Sequence, residues 1–407
     1  MRILCLSTAH EGCGVAAYAA RLRQALEALG HTCEIFPIDL HSQLGLSLEE
    51  AIASYDGFVA ACAGFDAIVI QHEHGLFQAD FVMNQSIRLF LSVVRRVRKL
   101  RKPTLIFFHT PDLLAPSRGP SDPPGFRVPF LRQWKALVRL INWDRHFCAI
   151  THSRRGRALL VENGLRASKA IAIVPPLPAA KPLAPRSAAD GADGADDGRV
   201  VLAIFGFVYR YKGYRTAVQA LCRLPKRYHL LVIGGERPLA DPGDDTTYAD
   251  LRWLAAGAHG REGRLPFGLE RREIDEGDLA DRITVTGYRP DAEVTRALAR
   301  ADLVLAPYLP EGPAGSGAMT WGLASGRPVI ASSIPAFAEI EEDYDCIVTV
   351  PPDCPDDLAR AILELSGDPE RMRTLVGRAE RFVRENGWDA LAERVVRELT
   401  RRRRTRG

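Results

Sequence analysis

Two cations and one histidine follow apolar, strand-like segments of this 407-residue chain. In the segment FGFVYRYKGYR, Gly206 ends an apolar run, and Arg210 and Lys212 come just before a helix-like segment. Two cations beside glycines after a strand are suited to a diphosphate, whose oxygens accept charge-assisted hydrogen bonds. The alternative is two solvated surface cations. In FFHTPD, His109 ends another apolar run, at the rim of a sheet where either a structural or a functional histidine can stand.

A run of small residues precedes another helix-like segment, in EGPAGSGAMTWGLASGRPVIAS. Gly315, Ser316 and Gly317 stand at its start, although glycine destabilises helices. One explanation is a tight turn packed against a neighbour. The other is an anion site, because the first N–H groups of a helix lack partners and the helix dipole favours negative charge there. Glu311 would then accept hydrogen bonds from sugar hydroxyls, unless it is a solvated loop carboxylate.

Two further segments follow predicted strands near the start of the chain. STAHEGCGVAAYAARL holds Gly12 and Gly14, which either let the backbone approach a ligand or serve a strand–helix turn. The segment lacks the G-x-G-x-x-G spacing of a dinucleotide site. QHEHG offers His72, Glu73 and His74, but no third ligand group is in view, and the sequence predicts no metal site.

Short apolar segments alternate with longer amphipathic ones through most of the chain. The apolar segments predict strands at 2–7, 32–38, 67–71, 104–109, 145–151 and 170–174, and then at 200–205, 228–233, 282–286, 303–306, 328–331 and 346–350. Near-continuous apolar strands alternating with helices are typical of parallel sheets buried on both faces. The fold class is therefore predicted as α/β, with two doubly wound Rossmann-like domains facing a cleft. Ligands of such sheets bind at the carboxyl ends of the strands.

The predicted domains are separated by a segment of linker composition. PPLPAAKPLAPRSAADGADGADDGR, at 175–199, is rich in Pro, Ala, Gly and Asp and has almost nothing to bury. The sequence predicts an N-terminal domain at 1–177, a linker at 178–198 and a C-terminal domain at 199–387. A helix and basic tail at 388–407 are expected to pack back on the first domain.

The composition indicates a globular protein of the reducing cytosol. Apolar residues make up 46% and charged residues 26%, and a net charge of +4 is too small to indicate nucleic-acid binding. The eight cysteines are scattered without a C-x-x-C pair, and no signal peptide or apolar stretch long enough to span a membrane is expected. The basic runs at 95–103 and 401–407 are either solvated helix ends or segments attracted to anionic lipid headgroups.

Together these segments resemble the retaining GT-B glycosyltransferases of family four, the glycosyl transferases group 1, many of which are bacterial. The order and spacing of the segments carry the resemblance over nearly the whole chain. The similar segments are CGVAAYAARLRQAL, IQHEHGLF, FFHTPD, ITHSRRGRALLVENG, IAIVPP, FGFVYRYKG, ITVTGYRPDAEVTRALARADLVLAPYLPEG, GLASGRPVIASSIPAFAEI and ENGWDALAERV.

The resemblance implies roles for individual residues. His109 would contact the donor sugar, and Arg210 and Lys212 would hold the diphosphate. The family's arginine usually follows the glycine directly, where this chain has Phe207. Glu311 matches the first of two glutamates that the family keeps eight positions apart.

The second family glutamate, which normally holds the nucleotide ribose, is missing. Counting forward from Glu311 gives Met319, and counting back from the ASG segment gives Trp321. Two extra small residues separate Glu311 from Gly326 compared with the family spacing. The ribose contact, and with it the choice of nucleotide, is therefore left open.

The resemblance implies a hexosyltransferase of polysaccharide or glycoconjugate biosynthesis. The first domain would bind the acceptor, and the second a UDP-, GDP- or other nucleotide-diphosphate sugar, without metal or cofactor. The predicted catalytic residues are His109 and Glu311, and the predicted donor-binding residues are Gly12, Gly14, Gly206, Arg210, Lys212, Tyr288, Gly315, Ser316 and Gly317. The alternatives are a catalytically inactive GT-B-like scaffold and a sugar-nucleotide epimerase. The sequence identifies neither the sugar, the acceptor, the linkage nor the oligomeric state.

Overall fold

The computed structural model describes residues 1–9, 13–39, 42–43, 45–77, 83–111, 127–173, 198–236, 245–257, 265–270, 272, 274, 278–310 and 316–404. Gly12, Glu311, Gly315 and all but the last residue of the predicted linker lie outside the described residues. The described residues form two compact units. The first contains residues 1–173 and 386–404, and the second contains residues 198–310 and 316–385.

The first unit is built on a parallel sheet flanked by helices. Its strands are β1 (Arg2–Thr8), β2 (Thr32–Ile38), β3 (Ala67–His72), β4 (Thr104–Phe108), β5 (Phe147–Thr151) and β6 (Ala170–Ala172). Its first helices are α1 (Gly14–Ala28), α2 (Leu48–Ala53), α3 (Asp56–Ala61), α4 (Met83–Arg98), α5 (Arg127–Trp143) and α6 (Arg154–Glu162). The strand order is β2-β1-β3-β4-β5-β6, with every pair parallel.

Both faces of this sheet are buried, as the apolar strands predict. Along β1, Leu4 and Leu6 face one hydrophobic cluster, whereas Ile3 and Cys5 face another. The alternation follows from the period of two residues in a strand. Burying an aliphatic side chain of this size contributes roughly 1.5–3 kcal/mol, so a strand buried on both faces is a strong determinant of the fold.

The second unit repeats this architecture. Its strands are β7 (Val200–Phe205), β8 (Tyr228–Ile233), β9 (Ile283–Val285), β10 (Leu303–Ala306), β11 (Val329–Ser332) and β12 (Ile347–Val350). Its helices are α7 (Tyr214–Arg223), α8 (Thr247–Ala255), α9 (Leu279–Arg282), α10 (Asp291–Ala299), α11 (Gly317–Ala324), α12 (Pro335–Tyr344), α13 (Pro355–Ser366) and α14 (Pro369–Glu385). The strand order is β12-β11-β10-β7-β8-β9, again parallel throughout.

The last helix, α15 (Trp388–Arg404), packs on the first unit. Leu391, Val395 and Leu399 join the cluster formed by α1 and one face of the first sheet. Their spacing of four residues places them on one side of the helix. Trp388 packs edge-on against Tyr18 of α1, with ring centroids 5.1 Å apart. Among the described residues, none of the helices combines the length and apolar composition that a membrane crossing requires.

The sequence-predicted strands agree with the structure to within two residues at each end. One difference concerns a candidate site residue, since β4 ends at Phe108 and His109 is the first residue beyond it. Each sheet reverses its strand order at one point, between β1 and β3 in the first unit and between β7 and β10 in the second. In open α/β sheets, ligands bind at such a switch point, beyond the carboxyl ends of the strands.

Candidate functional site

At the switch point of the second unit, a buried lysine lies against a glycine. Gly206 follows β7, and Lys212 ends the single 3-10 turn Arg210–Lys212 before α7. Only 6% of Lys212 is exposed. Gly206 adopts φ +113°, and a Cβ atom there would lie 2.5 Å from Lys212 Nζ. Glycine at 206 therefore supplies both the backbone conformation and the space for the ammonium group.

The lysine is held by an aromatic hydroxyl rather than by a carboxylate. Lys212 Nζ donates a hydrogen bond of 2.8 Å to the hydroxyl of Tyr308, which follows β10. The same Nζ lies 5.0 Å from the centroid of the Tyr308 ring. Burial lowers the pKa of Lys212 from its ordinary value. Within the described ranges, no carboxylate pairs with this cation.

The same hydroxyl reaches the start of α11. Tyr308 Oη and Ser316 Oγ are 2.7 Å apart, and Ser316 Oγ accepts a hydrogen bond of 3.1 Å from the backbone N–H of Met319. Ser316 is therefore the N-cap of α11, and Gly317 is its first residue. The switch-point site is defined here as Gly206, Lys212, Tyr308, Ser316 and the first turn of α11. It brings together four residues predicted from the sequence and one, Tyr308, that was not.

Two other predicted donor-binding residues present exposed side chains. Arg210 is exposed, and its backbone N–H donates a 2.6 Å bond to Asp245. Tyr288 is 66% exposed. Its backbone nitrogen lies 3.0 Å from the position that a Cβ atom on Gly235 would occupy, beyond the end of β8. The contacts given for Arg210 and Tyr288 thus involve their backbone atoms, and their side chains are not grouped with that of Lys212.

The two positions counted for the missing glutamate hold packed apolar side chains. Met319 is 2% exposed. The ring of Trp321 packs on Phe205, with centroids 5.2 Å apart. The side chains of α11 therefore supply no carboxylate for a ribose.

In the first unit, His109 lies in a chain of hydrogen bonds across three adjacent strands. Its Nε2 is 2.7 Å from Gln71 Oε1, and its Nδ1 is 3.0 Å from His152 Nε2. Gln71 lies in β3, whereas His109 and His152 lie just beyond the ends of β4 and β5. Because Gln71 Oε1 only accepts, His109 Nε2 donates to it, and Nδ1 accepts from His152. Both ring nitrogens of His109 thus have protein partners.

Burial keeps His109 and His152, the two histidines of this hydrogen-bonded network, neutral. Burial, reinforced by the neighbouring His152, lowers the pKa of His109 well below its usual range. Burial lowers the pKa of His152 to about 4. A contact from the His109 ring to a sugar would have to replace one of its two bonds to the protein.

An aromatic ring covers the histidine pair. The ring of Tyr18 lies 5.1 Å from that of His109 and 5.2 Å from that of His152. Gly14, at the start of the same helix, has open space where a Cβ atom would lie. Packing within the unit therefore does not require glycine there. Sequence reasoning missed Gln71 and His152, and the available signal was their position at strand ends, in IQHEHG and ITHS.

The histidine-rich segment QHEHG does not form a metal site in the described structure. The ring of His72 packs among those of Phe77, Phe90 and Phe108, with centroids 4.2–5.6 Å away. The carboxylate of Glu73 accepts the backbone N–H of Gly75 at 2.8 Å. Across the part of the chain that the structure describes, no group of three His, Cys, Asp or Glu residues is arranged to hold a metal ion.

Comparison with known proteins finds a family match within the second unit. Residues 243–368 match the family model described as Glycosyl transferases group 1. The matched group 1 segment includes Tyr308 and α11, whereas Gly206 and Lys212 precede it.

One curated relative is similar to part of the chain. A phosphatidyl-myo-inositol mannosyltransferase of Mycolicibacterium smegmatis is 30% identical over 121 residues, which cover 30% of this chain. The matched stretch spans 31% of that curated relative's own length.

Solved structures match the fold along almost the whole chain. Sucrose-phosphate synthase from Thermosynechococcus elongatus has a TM-score of 0.70 at 18% identity, covering 98% of this chain and 99% of that one. Anabaena HepE in complex with UDP-glucose has a TM-score of 0.67 at 16% identity, covering 98% and 100%. The predicted fold class, the GT-B pairing of two Rossmann-like units, is confirmed.

Proposed function

We propose that the protein is a retaining glycosyltransferase that moves a hexose from a nucleotide-diphosphate sugar to a glycan, glycolipid or small-molecule acceptor. The observation that carries the proposal is Lys212, a buried cation directly before the N-cap of α7, without a carboxylate partner among the described residues. Burying a charge is costly unless an opposite charge compensates it. A diphosphate at this point supplies that charge.

The chemistry of glycosyl transfer fits such a site. Negative charge develops on the diphosphate as the bond to the sugar breaks. Donors already oriented toward the diphosphate stabilise the transition state more than the ground state. Lys212 and the N-terminus of α11 supply these donors from rigid elements that follow β7 and β10.

The proposal includes catalysis without a metal ion. The switch-point site presents an ammonium group, a hydroxyl and backbone N–H groups, which bind phosphate oxygens directly. The ammonium and N–H groups cannot ligate a cation, and the described residues of the site include no carboxylate, the ligand that a hard cation prefers. We expect the affinity for UDP to be the same with and without a chelator.

The first donor to test is UDP-glucose, because the HepE structure contains it. A GDP-sugar is the second, since the missing ribose glutamate leaves the nucleotide open. A panel of nucleotide sugars, followed by release of free nucleotide diphosphate, identifies the donor without knowledge of the acceptor.

Substitution of Lys212 tests the site directly. Lys212→Met retains the length and apolar stem of the side chain and removes the charge. We expect the affinity for UDP to fall by more than tenfold, because a charge-assisted bond contributes roughly 1.5–3 kcal/mol. Titration calorimetry measures this change.

Lys226→Met is the matched control, since Lys226 is an exposed lysine of the same unit that pairs with Asp278. Equal UDP affinity for the parent and the folded Lys212→Met variant would contradict the proposed function. A parent that binds UDP but releases no product from any nucleotide sugar would favour the inactive scaffold.

A further inference from the structure

Tyr308 stands where the switch-point site meets the core of the second unit. Its side chain is 2% exposed. Its ring contacts Tyr211 and Phe337 edge-on, with centroids 5.7 and 5.2 Å away. These contacts fix the direction of its hydroxyl, which lies 2.8 Å from Lys212 Nζ and 2.7 Å from Ser316 Oγ.

The hydrogen atoms of this group can be assigned by counting donors and acceptors. A lysine ammonium group only donates, so the Tyr308 oxygen accepts from Lys212. Burial raises the pKa of Tyr308, which keeps its hydroxyl protonated. Among the described residues, Ser316 Oγ is the acceptor within reach of that buried proton, so we assign the bond from Tyr308 to Ser316. Ser316 Oγ also accepts from the N–H of Met319. With both acceptor positions of Ser316 occupied, its own hydroxyl proton must donate elsewhere.

What remains for a ligand is a set of donors. Two of the three ammonium protons of Lys212 and the hydroxyl proton of Ser316 have no further acceptor among the described residues. The N–H groups of Gly317 and Ala318 belong to the first turn of α11 and lack partners within the helix. Such a set complements fully ionised phosphate oxygens.

We propose that Tyr308 is a positioning residue for the donor diphosphate. Its hydroxyl anchors Lys212 and, by occupying a lone pair of Ser316, directs the Ser316 proton toward the ligand. The inference rests on the proposed function, because it assumes a diphosphate at the switch-point site. It adds a residue that acts through Lys212 and Ser316 without being required to touch the substrate.

The test is Tyr308→Phe, which removes one oxygen and keeps the ring. We expect UDP to bind about tenfold more weakly, which corresponds to the loss of one bond to a charged group. Binding of uridine, which lacks phosphate, should not change, because the bond acts on the phosphate donors alone. Titration calorimetry measures the affinity for UDP, and displacement of bound UDP by uridine gives the affinity for uridine.

A matched control is available in the same unit. The hydroxyl of Tyr228 lies 2.7 Å from Ser366 Oγ, and Tyr228 is 1% exposed. Tyr228 is the first residue of β8, so it lies at the amino ends of the strands, whereas the switch-point site lies beyond their carboxyl ends. Tyr228→Phe removes the same kind of bond and should leave the affinity for UDP unchanged.

A double-mutant cycle with Lys212→Met tests whether Tyr308 acts through the lysine. We expect Tyr308→Phe to weaken UDP binding less in the Lys212→Met background than in the parent, because only its action through Ser316 remains there. Additive losses, or equal losses for UDP and uridine, would overturn the positioning role. Loss in Lys212→Met with parent affinity in Tyr308→Phe would overturn it and leave the proposed function standing, whereas parent affinity in both would overturn the proposed function itself.

If Tyr308→Phe does not fold, Ser316→Ala replaces it, with the same expected loss for UDP and the same contradicting outcomes.

Discussion

At the scale of single residues, the protein buries ionisable groups near strand ends in two different ways. Lys212 donates a hydrogen bond to the hydroxyl of Tyr308, an arrangement that suits a charged group in a site for an anion. His109 and His152 instead bond to each other and to Gln71, which suits neutral rings. Burial keeps both rings neutral, against the contact of 3.4 Å between His152 Nδ1 and the carbonyl oxygen of Ile173, which favours a proton on His152.

The histidine pair predicts a stability that depends on pH. Unfolded histidine has a pKa near 6.5, whereas the folded pKa of His152 is about 4 and that of His109 is also lowered. As pH falls through 6.5, the unfolded chain therefore takes up protons that the folded protein refuses. The stability present above about pH 6.5 is lost toward pH 4, by about 1.4 kcal/mol per pH unit for each histidine.

Urea unfolding between about pH 7.5 and 5 measures this effect. His152→Gln removes one titrating ring, and its free energy of unfolding should fall less steeply over this interval. Identical slopes for the parent and the variant would show that His152 does not titrate differently on folding.

At the scale of elements, two loops and one helix start produce the switch-point site. The loop after β7 folds into a single turn and carries Lys212 back over Gly206. The chain after β10 leads into α11, whose N-cap is Ser316. Parallel pairing of β7 with β10 places both connections at the same edge of the sheet. The site thus depends on strand order rather than on any one segment.

The start of α11 predicts a separation of binding from stability. A Cβ atom on Gly317 would meet nothing within 4 Å, and the residue is exposed. Gly317→Val should therefore fold like the parent and weaken UDP binding, because a branched side chain crowds the N–H groups that approach the phosphate. The melting temperature and the calorimetric affinity are measured on one preparation.

Gly377→Val is the control for this substitution. Gly377 also lies in a helix, α14, with open space where a Cβ atom would lie. A Gly317→Val variant that binds UDP as tightly as the parent would mean that the small residues before α11 serve the turn alone.

At the scale of the whole molecule, the structure divides the basic runs into paired and exposed cations. Arg96 pairs with Asp56, and Arg98 Nε is 3.0 Å from Asp144. At the other end of the chain, Arg402 is buried and pairs with Glu398. These cations are held within the first unit, and a membrane contact would depend on the exposed ones.

Neutralising exposed cations tests the membrane interpretation of the basic run at 95–103. Arg95, Lys99 and Arg101 are exposed. Their joint replacement by Gln should reduce co-sedimentation with phosphatidylserine vesicles at low salt, by about 1 kcal/mol for each cation near the surface. UDP binding should not change.

Arg96→Gln is the comparison, since that cation already has protein partners. Equal vesicle binding by the triple variant and the parent would contradict membrane attraction through these residues.

The sequence by itself determined the two Rossmann-like units and most strand boundaries. The reason is local, because a parallel strand buried on both faces must be largely apolar, as β3 is over its first four residues and β5 over its first four. It also placed Gly206, Lys212, Ser316 and Gly317 after strands. Glycines and cations at such positions indicate a phosphate site from local pattern alone.

Only the tertiary structure decided which of these residues meet. In the sequence, Tyr308 is an aromatic residue after an apolar segment. Its hydroxyl reaches Lys212 only because β10 lies beside β7. Gln71 and His152 are 81 residues apart in the chain and become partners of His109 through the order β3-β4-β5. Hydrogen bonds between side chains on different strands depend on strand order and register, which the pattern of a single segment does not specify.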